Sequence, residues 1–91
     1  MIPDIKKRAI HRSKIIEGQV KGLGKMINNE EYCMDIITQS LAIQKSLSSL
    51  NKLILENHLK THIKDKMNSK NEKLQLEAAT EILQAFELMR R

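Results

Sequence analysis

The chain of 91 residues has no tryptophan and only one phenylalanine, one tyrosine, one cysteine and one proline. Each shortage excludes something. With so few aromatic side chains, a monomer has little bulk for a private core, and small chains bury a low fraction of their surface. Oligomerisation is the natural remedy. The lone cysteine, Cys33, cannot close a disulfide within the chain, which fits a reducing cytoplasm. No window approaches the roughly 20 uninterrupted apolar residues of a membrane span. The opening MIPDIKKRAIHRS has no apolar signal-peptide core, so nothing in it marks export. Strand alternation, internal repeats and low-complexity tracts are also missing. No Ser/His/Asp set, glycine-rich phosphate loop or pair of carboxylates stands out, which argues against an enzyme. The length allows one domain at most.

What is there is charge and helical periodicity. The net charge of +5 belongs entirely to the first third of the chain. Within residues 1–29, Lys6, Lys7, Arg8, Arg12, Lys14, Lys21 and Lys25 face only Asp4 and Glu17, whereas residues 30–91 carry nine basic and nine acidic side chains. That asymmetry points to an anionic partner, nucleic acid foremost. The plainer alternative is a solvated basic helix that aids solubility.

The pattern predicts an all-α subunit of three helices, at about 4–28, 31–66 and 71–90. Pro3 suits a first helical turn. At 100° per residue, Ile5, Ala9, Ile16, Val20, Leu23 and Ile27 form a stripe about 60° wide. Lys7, His11, Lys14, Lys21 and Lys25 cluster opposite. Gly18, Gly22 and Gly24 each weaken a helix interior by about 1 kcal/mol relative to alanine. The first two lie near the basic edge, where a missing side chain leaves room for a phosphate backbone or another helix. NNEE at 28–31 ends the first helix, and Asn28 with Glu31 three residues on matches a capping pattern for the second. The second helix contains no glycine or proline and is longer than a small isolated domain can cover. It should pair with the same helix of another subunit. NSKN at 68–71 reads as a polar turn, and the third helix places Leu76, Ala79, Leu83 and Phe86 on one side.

The second helix carries the candidate chemistry. HLKTH at 58–62 spaces two histidines for one helical face. It is not the zinc-protease motif H-E-x-x-H, because Leu59 stands where the general base belongs. On the wheel His58 and His62 lie about 20° to either side of Cys33, yet Cys33 and His58 are separated by roughly 37 Å of helix rise. Two copies packed antiparallel, with a two-fold axis near residues 46–47, would make two equivalent sites. Ser40, Gln44, Leu47, Leu50 and Ile54 lie on or near the same, partly apolar face. A thiolate with two imidazoles suits zinc, copper, nickel or cobalt and not magnesium or calcium. The plainer readings are an exposed histidine pair and a cysteine acting as a small core residue.

The stretches RSKIIEGQVKGL (12–23), YCMDIITQSLAIQKSL (32–47) and ENHLKTHI (56–63) resemble the CsoR/RcnR family of bacterial metal-sensing repressors, over about residues 12–66. The resemblance implies a three-helix subunit assembled as a dimer of dimers into a flat homotetramer with no helix-turn-helix. It implies operator DNA as the partner of the apo form. DNA is released when metal, or in some branches formaldehyde or a sulfur species, reaches the cysteine. Carried over by position, the ligands fall on Cys33, His58 and His62. A supporting tyrosine falls on Tyr32, and a supporting third-helix glutamate on Glu77 or Glu81. The DNA-contacting basic positions fall on Arg12 and Lys45, to which the charge pattern adds Lys14 and Lys21.

Copper(I) sensors of the family usually carry a second cysteine where His62 stands. The nickel(II)/cobalt(II) branch carries a histidine there and another near the N-terminus, at about Met1 of this chain; His11 does not align with it. Tyr32 followed by MDIITQ resembles the copper branch, so copper ranks ahead of nickel and cobalt. The formaldehyde branch needs a proline directly after the initiator methionine, where Ile2 intervenes, and usually an acid in place of His62. A reading of another class, a helical metal-buffering oligomer without DNA, leaves the basic first helix without a use.

Overall fold

A computed structural model describes residues 1–90. It contains α1 (Pro3–Asn28), α2 (Cys33–His58), a five-residue π turn (Leu59–Ile63), α3 (Lys64–Asn68) and α4 (Glu72–Arg90), with no strand among the described residues. The backbone stays in the right-handed helical region at His58, Leu59, Ile63 and Lys64. The segments from Cys33 to Asn68 therefore form one rod. The subunit is three rods long, all-helical as the periodicity predicts.

The first two rods form an antiparallel hairpin. Pro3 occupies the first turn of α1, where its missing N–H costs nothing. The end of α1 corrects the capping expectation: Asn28 is the last residue of α1 and caps nothing in α2. The Glu30 N–H donates to the Ile27 carbonyl and the Glu31 N–H to the Met26 carbonyl, both at 3.0 Å. Those two bonds make a Schellman stop. It requires a left-handed residue, and Glu30 supplies it at φ 51°. NNEE thus serves as a helix terminator, and α2 begins after Tyr32 without a side-chain cap. At the other hinge, the Asn71 carboxamide oxygen accepts from the Lys73 N–H at 2.9 Å and caps α4.

The core is small. Ile5, Ala9 and Leu53 are its centre, with Ile2 and Leu50 packed against them, and Ile16 and Ile43 are buried further along the hairpin. Buried Asn57 near the end of α2 accepts from the Ile2 N–H at 2.8 Å, tying the start of α1 to that end of the rod. Gly22 faces α2, where a Cβ would meet the Gln39 amide nitrogen at 3.9 Å. That is an ordinary van der Waals contact, so the approach of the two helices does not require the bare position.

Two apolar stripes are less buried than the periodicity suggests. Val20 and Ile27 at the far end of the α1 stripe are 50% and 56% exposed. On α4, Leu76, Leu83 and Phe86 are 69%, 70% and 61% exposed, while the fully covered side chain is Ala78. The short Ala78 lets α4 settle against the second rod and turns the Leu76/Leu83/Phe86 stripe outward.

The subunit is a thin plate of 59 × 27 × 12 Å, and its least dimension is about the diameter of one helix. Its radius of gyration is 17.8 Å, against about 12 Å for a compact chain of this length. Its accessible surface is 7195 Å² at 10.5 kDa, against about 5400 Å² for a compact monomer of that mass. The excess, roughly 1800 Å², is surface that the lone subunit leaves uncovered. No described helix is long and apolar enough to cross a membrane.

Candidate metal centre and basic groove

The two histidines of HLKTH stand where the second rod changes pitch. His58 closes α2 and His62 lies inside the π turn, whose Lys64 N–H reaches back five residues to the Leu59 carbonyl. Turns closed this way are rare and recur at functional sites. Nothing local in the sequence marks this one, since the segment has neither glycine nor proline. The Thr61 hydroxyl donates to the Asn57 carbonyl at 2.8 Å, giving a partner to a backbone oxygen beside the change of pitch. Wider winding shifts His62 from the azimuth of a uniform α-helix, but the rings remain together. Their centroids are 5.2 Å apart and tilted by 42°.

A second element holds one of these rings. From α4, Glu81 places Oε2 3.0 Å from Nε2 of His58. A carboxylate only accepts, so Nε2 carries the proton and the lone pair of a neutral ring lies on Nδ1. The other oxygen, Oε1, accepts from the Lys66 ammonium at 2.9 Å. The Lys66 bond, then the His58 bond, hold the Glu81 carboxyl below its ordinary range, and the Glu81 bond raises the Lys66 ammonium above its own. Glu77 comes only to 3.9 Å of Lys66. Of the two glutamates the sequence left open, Glu81 is therefore the one that touches a histidine. Carboxylates behind a ligating histidine fix its tautomer and raise its basicity.

Cys33 is at the opposite end of α2, exposed in its first turn, and the neighbouring Tyr32 is 71% exposed. Helix rise over those residues keeps Cys33 about 37 Å from His58. No three potential ligands gather in one place among the described residues of a single subunit. Met1 and His11 are exposed on α1 and its leading end. The donor set, one thiol with two imidazoles of which one has its lone pair directed by Glu81, fits a soft or borderline transition metal. Within one subunit the thiol and the imidazoles do not meet.

On the hairpin, Arg12 and Lys45 line one groove of about 510 Å³ between α1 and α2, together with Ile15, Gln19, Ser46 and Ser49. The Arg12 guanidinium donates to the Ser49 hydroxyl, which aims it across the groove. An adjoining cleft of about 240 Å³ adds Arg8 and Lys52. Sequence reasoning did not single these two out, although Arg8 precedes Arg12 by four residues and Lys52 follows Lys45 by seven, spacings that share a helix face. Lys14 and Lys21 lie outside the groove. They agree with each other in azimuth but stand about 160–200° around α1 from Arg12, and Lys21 pairs with Glu17 at 3.7 Å in the open.

Residues 5–88 match the metal-sensitive transcriptional repressor family, and the chain belongs to it. That family consists of regulators rather than enzymes. Among its relatives, the copper-sensing transcriptional repressor CsoR of Bacillus subtilis (strain 168) is 33% identical over 81 residues, covering 89% of this chain and 77% of the relative. CsoR of Mycobacterium bovis (strain BCG / Pasteur 1173P2) is 38% identical over 56 residues, 62% of this chain and 47% of the relative. The copper-sensing repressor RicR of Mycobacterium tuberculosis (strain ATCC 25618 / H37Rv) is 40% identical over 48 residues, 53% of this chain and 50% of the relative. The matched region thus spans about half the length of these mycobacterial relatives.

Proposed function

We propose that this protein is a cytoplasmic repressor that binds operator DNA in its metal-free form and lets go when a transition metal is captured between subunits. The observation that carries this reading is the arrangement of the second rod. A carboxylate-braced histidine pair stands at one end and an exposed cysteine at the other, too far apart along the rod for one subunit to complete the centre alone. Two rods packed antiparallel bring Cys33 of one subunit to His58 and His62 of its partner, twice per dimer. The uncovered faces at Leu47 and Ile54 on α2 supply the apolar contact for that pairing. The outward stripe of α4 serves the further association into a dimer of dimers. Tyr32, next to Cys33, is placed to support the thiolate side of the centre.

The groove of Arg12 and Lys45 is the DNA surface, with Arg8 and Lys52 extending it. Lys14 and Lys21, on the other side of α1, contribute to the long-range field. With no recognition helix, the shape of the duplex and its phosphates are what the protein reads. Bound metal supplies a joint between subunits that the free side chains lack. The chain's own contribution is to favour one mutual setting of the rods when Cys33, His58 and His62 converge and another when they do not. A coupling of about 1–3 kcal/mol between the centre and the groove suffices to shift DNA affinity 5- to 150-fold.

Copper(I) ranks first, in line with the copper-sensing relatives. Nickel(II) or cobalt(II) is the second reading, and His62 favours it by offering an imidazole where a softer donor would suit copper better. Formaldehyde or a sulfur species acting on Cys33 ranks below both. Titrating the protein–DNA complex with copper(I), nickel(II), cobalt(II) and zinc(II) at fixed salt tests the proposal. Release by one of them at stoichiometric metal is the expected result. Operator binding that persists with metal bound would refute it, and absence of any DNA binding would leave a metal-buffering oligomer.

A further inference from the structure

The carboxylate behind His58 has a second partner that bracing the histidine does not require. Glu81 gives Oε2 to His58 at 3.0 Å and Oε1 to Lys66 at 2.9 Å, and Lys66 is also 3.9 Å from Glu77. Lys66 sits on α3, three residues past the π turn, and its side chain is 30% exposed, pinned between the second rod and α4. A carboxylate alone would put a full negative charge behind the histidine. With the ammonium on its other oxygen, the Glu81–Lys66 pair is neutral, and with Glu77 counted Lys66 cancels one of two negative charges.

The charge count of the centre makes that difference matter. Its donors are one thiolate and two neutral imidazoles, so a monovalent ion leaves the centre neutral and a divalent ion leaves it at +1. By cancelling the Glu81 charge, Lys66 reduces what can offset that surplus, whereas an unpaired Glu81 directly behind His58 would offset it. The ammonium also draws on Glu81 and lowers its power to raise the basicity of His58.

We propose that Lys66 is a positioning and selectivity residue: by occupying the second oxygen of Glu81 it biases the centre toward monovalent and against divalent ions. The proposal rests on the reading of Cys33, His58 and His62 as one intersubunit centre.

The test uses the full chain with Lys66→Met and Lys66→Gln, which remove the charge, and Lys66→Arg, which keeps it. Dissociation constants for copper(I), nickel(II) and cobalt(II) are measured by competition with chelators of known affinity. The ratio of divalent to copper(I) affinity should rise roughly 3- to 10-fold in both neutral variants, as expected for one unit charge several ångströms away in a half-exposed, high-dielectric setting. Lys66→Arg should restore the parent ratio. Affinities that change equally for all three ions, or a ratio unmoved in both neutral variants, would overturn the role of Lys66 and leave the centre intact. A parent protein that binds none of the ions would overturn the centre itself, and the proposal with it.

Discussion

Replacing Glu81 by alanine should weaken metal binding more than loss of a single hydrogen bond would suggest. In the subunit, Glu81 fixes the His58 tautomer through a 3.0 Å bond and holds the Lys66 ammonium through a 2.9 Å bond. Loss of a group that supports a ligating histidine costs about 10- to 100-fold in metal affinity, or about 1.4–2.7 kcal/mol. Glu81→Ala also leaves Lys66 with only Glu77, at 3.9 Å, so an under-compensated cation remains beside the proposed cation-binding centre. Both effects act in one direction, and the loss should fall toward the 100-fold end. Removing Lys66 as well should recover part of it, because the stranded charge is gone. Glu81→Ala/Lys66→Met should therefore bind more tightly than Glu81→Ala alone, a non-additivity that groups sharing a network show. Competition titrations of the parent and three variants at one pH and salt concentration measure the whole cycle. A change of less than about twofold on losing Glu81 would refute the bracing role, and a double variant weaker than Glu81→Ala would refute the stranded-charge argument.

Other consequences are directly measurable. Glu30 holds a left-handed conformation at φ 51°, which costs a non-glycine residue roughly 1–2 kcal/mol. Glu30→Gly should raise the melting temperature by about 4–8 °C per kcal/mol recovered at fixed protein concentration, and an unchanged or lower value in circular dichroism melts would contradict the Schellman assignment. The Glu81 carboxyl titrates below its ordinary 4.5 and the Lys66 ammonium above its ordinary 10.5, each first through their mutual bond. The Glu81 contribution to docking α4 is then present above pH 4.5 and lost as pH falls through its lowered value, whereas that of Lys66 is present below pH 10.5 and lost as pH rises through its raised value. The methyl resonance of Ala78, the buried residue of α4, should move at both extremes and hold steady between them; a steady signal throughout counts against the bridge. Arg12→Ala or Lys45→Ala should each lower the slope of log affinity against log salt by about 0.9 for every phosphate no longer neutralised, and an unchanged slope by anisotropy would remove that residue from the DNA surface.

The three-rod fold is legible in the periodicity because apolar spacing and breakers agree. Pro3 opens the first rod, NNEE closes it, and NSKN separates the second from the third. Less legible is what depends on packing. The role of NNEE as a stop needed Glu30 in a conformation that glycine or asparagine normally signals. The π turn arises in LKTHI without glycine or proline. The exposed Leu76, Leu83 and Phe86 stripe has the helical period of a core face, but α4 seats itself on Ala78 instead. At the candidate centre, the azimuths of Cys33, His58 and His62 and the long rise between them can be computed from sequence positions. The choice of Glu81 over Glu77, and the part of Lys66, cannot, because both depend on how α4 folds back across the NSKN turn. The opposite charges on either side of that turn were the available signal.

The central claim is that each centre draws its thiol from one subunit and its imidazoles from another, and mixing two disabled variants tests it most directly. Cys33→Ser keeps only the histidines, and His58→Ala/His62→Ala keeps only the cysteine, so neither should bind metal tightly alone. Random reassociation makes about half the dimers mixed, and each mixed dimer regains one of its two centres, so about a quarter of the sites should return. Recovery of that fraction, at parent affinity and only after subunit exchange, is the expected result. A mixture that binds no more metal than its separate components would contradict an intersubunit centre.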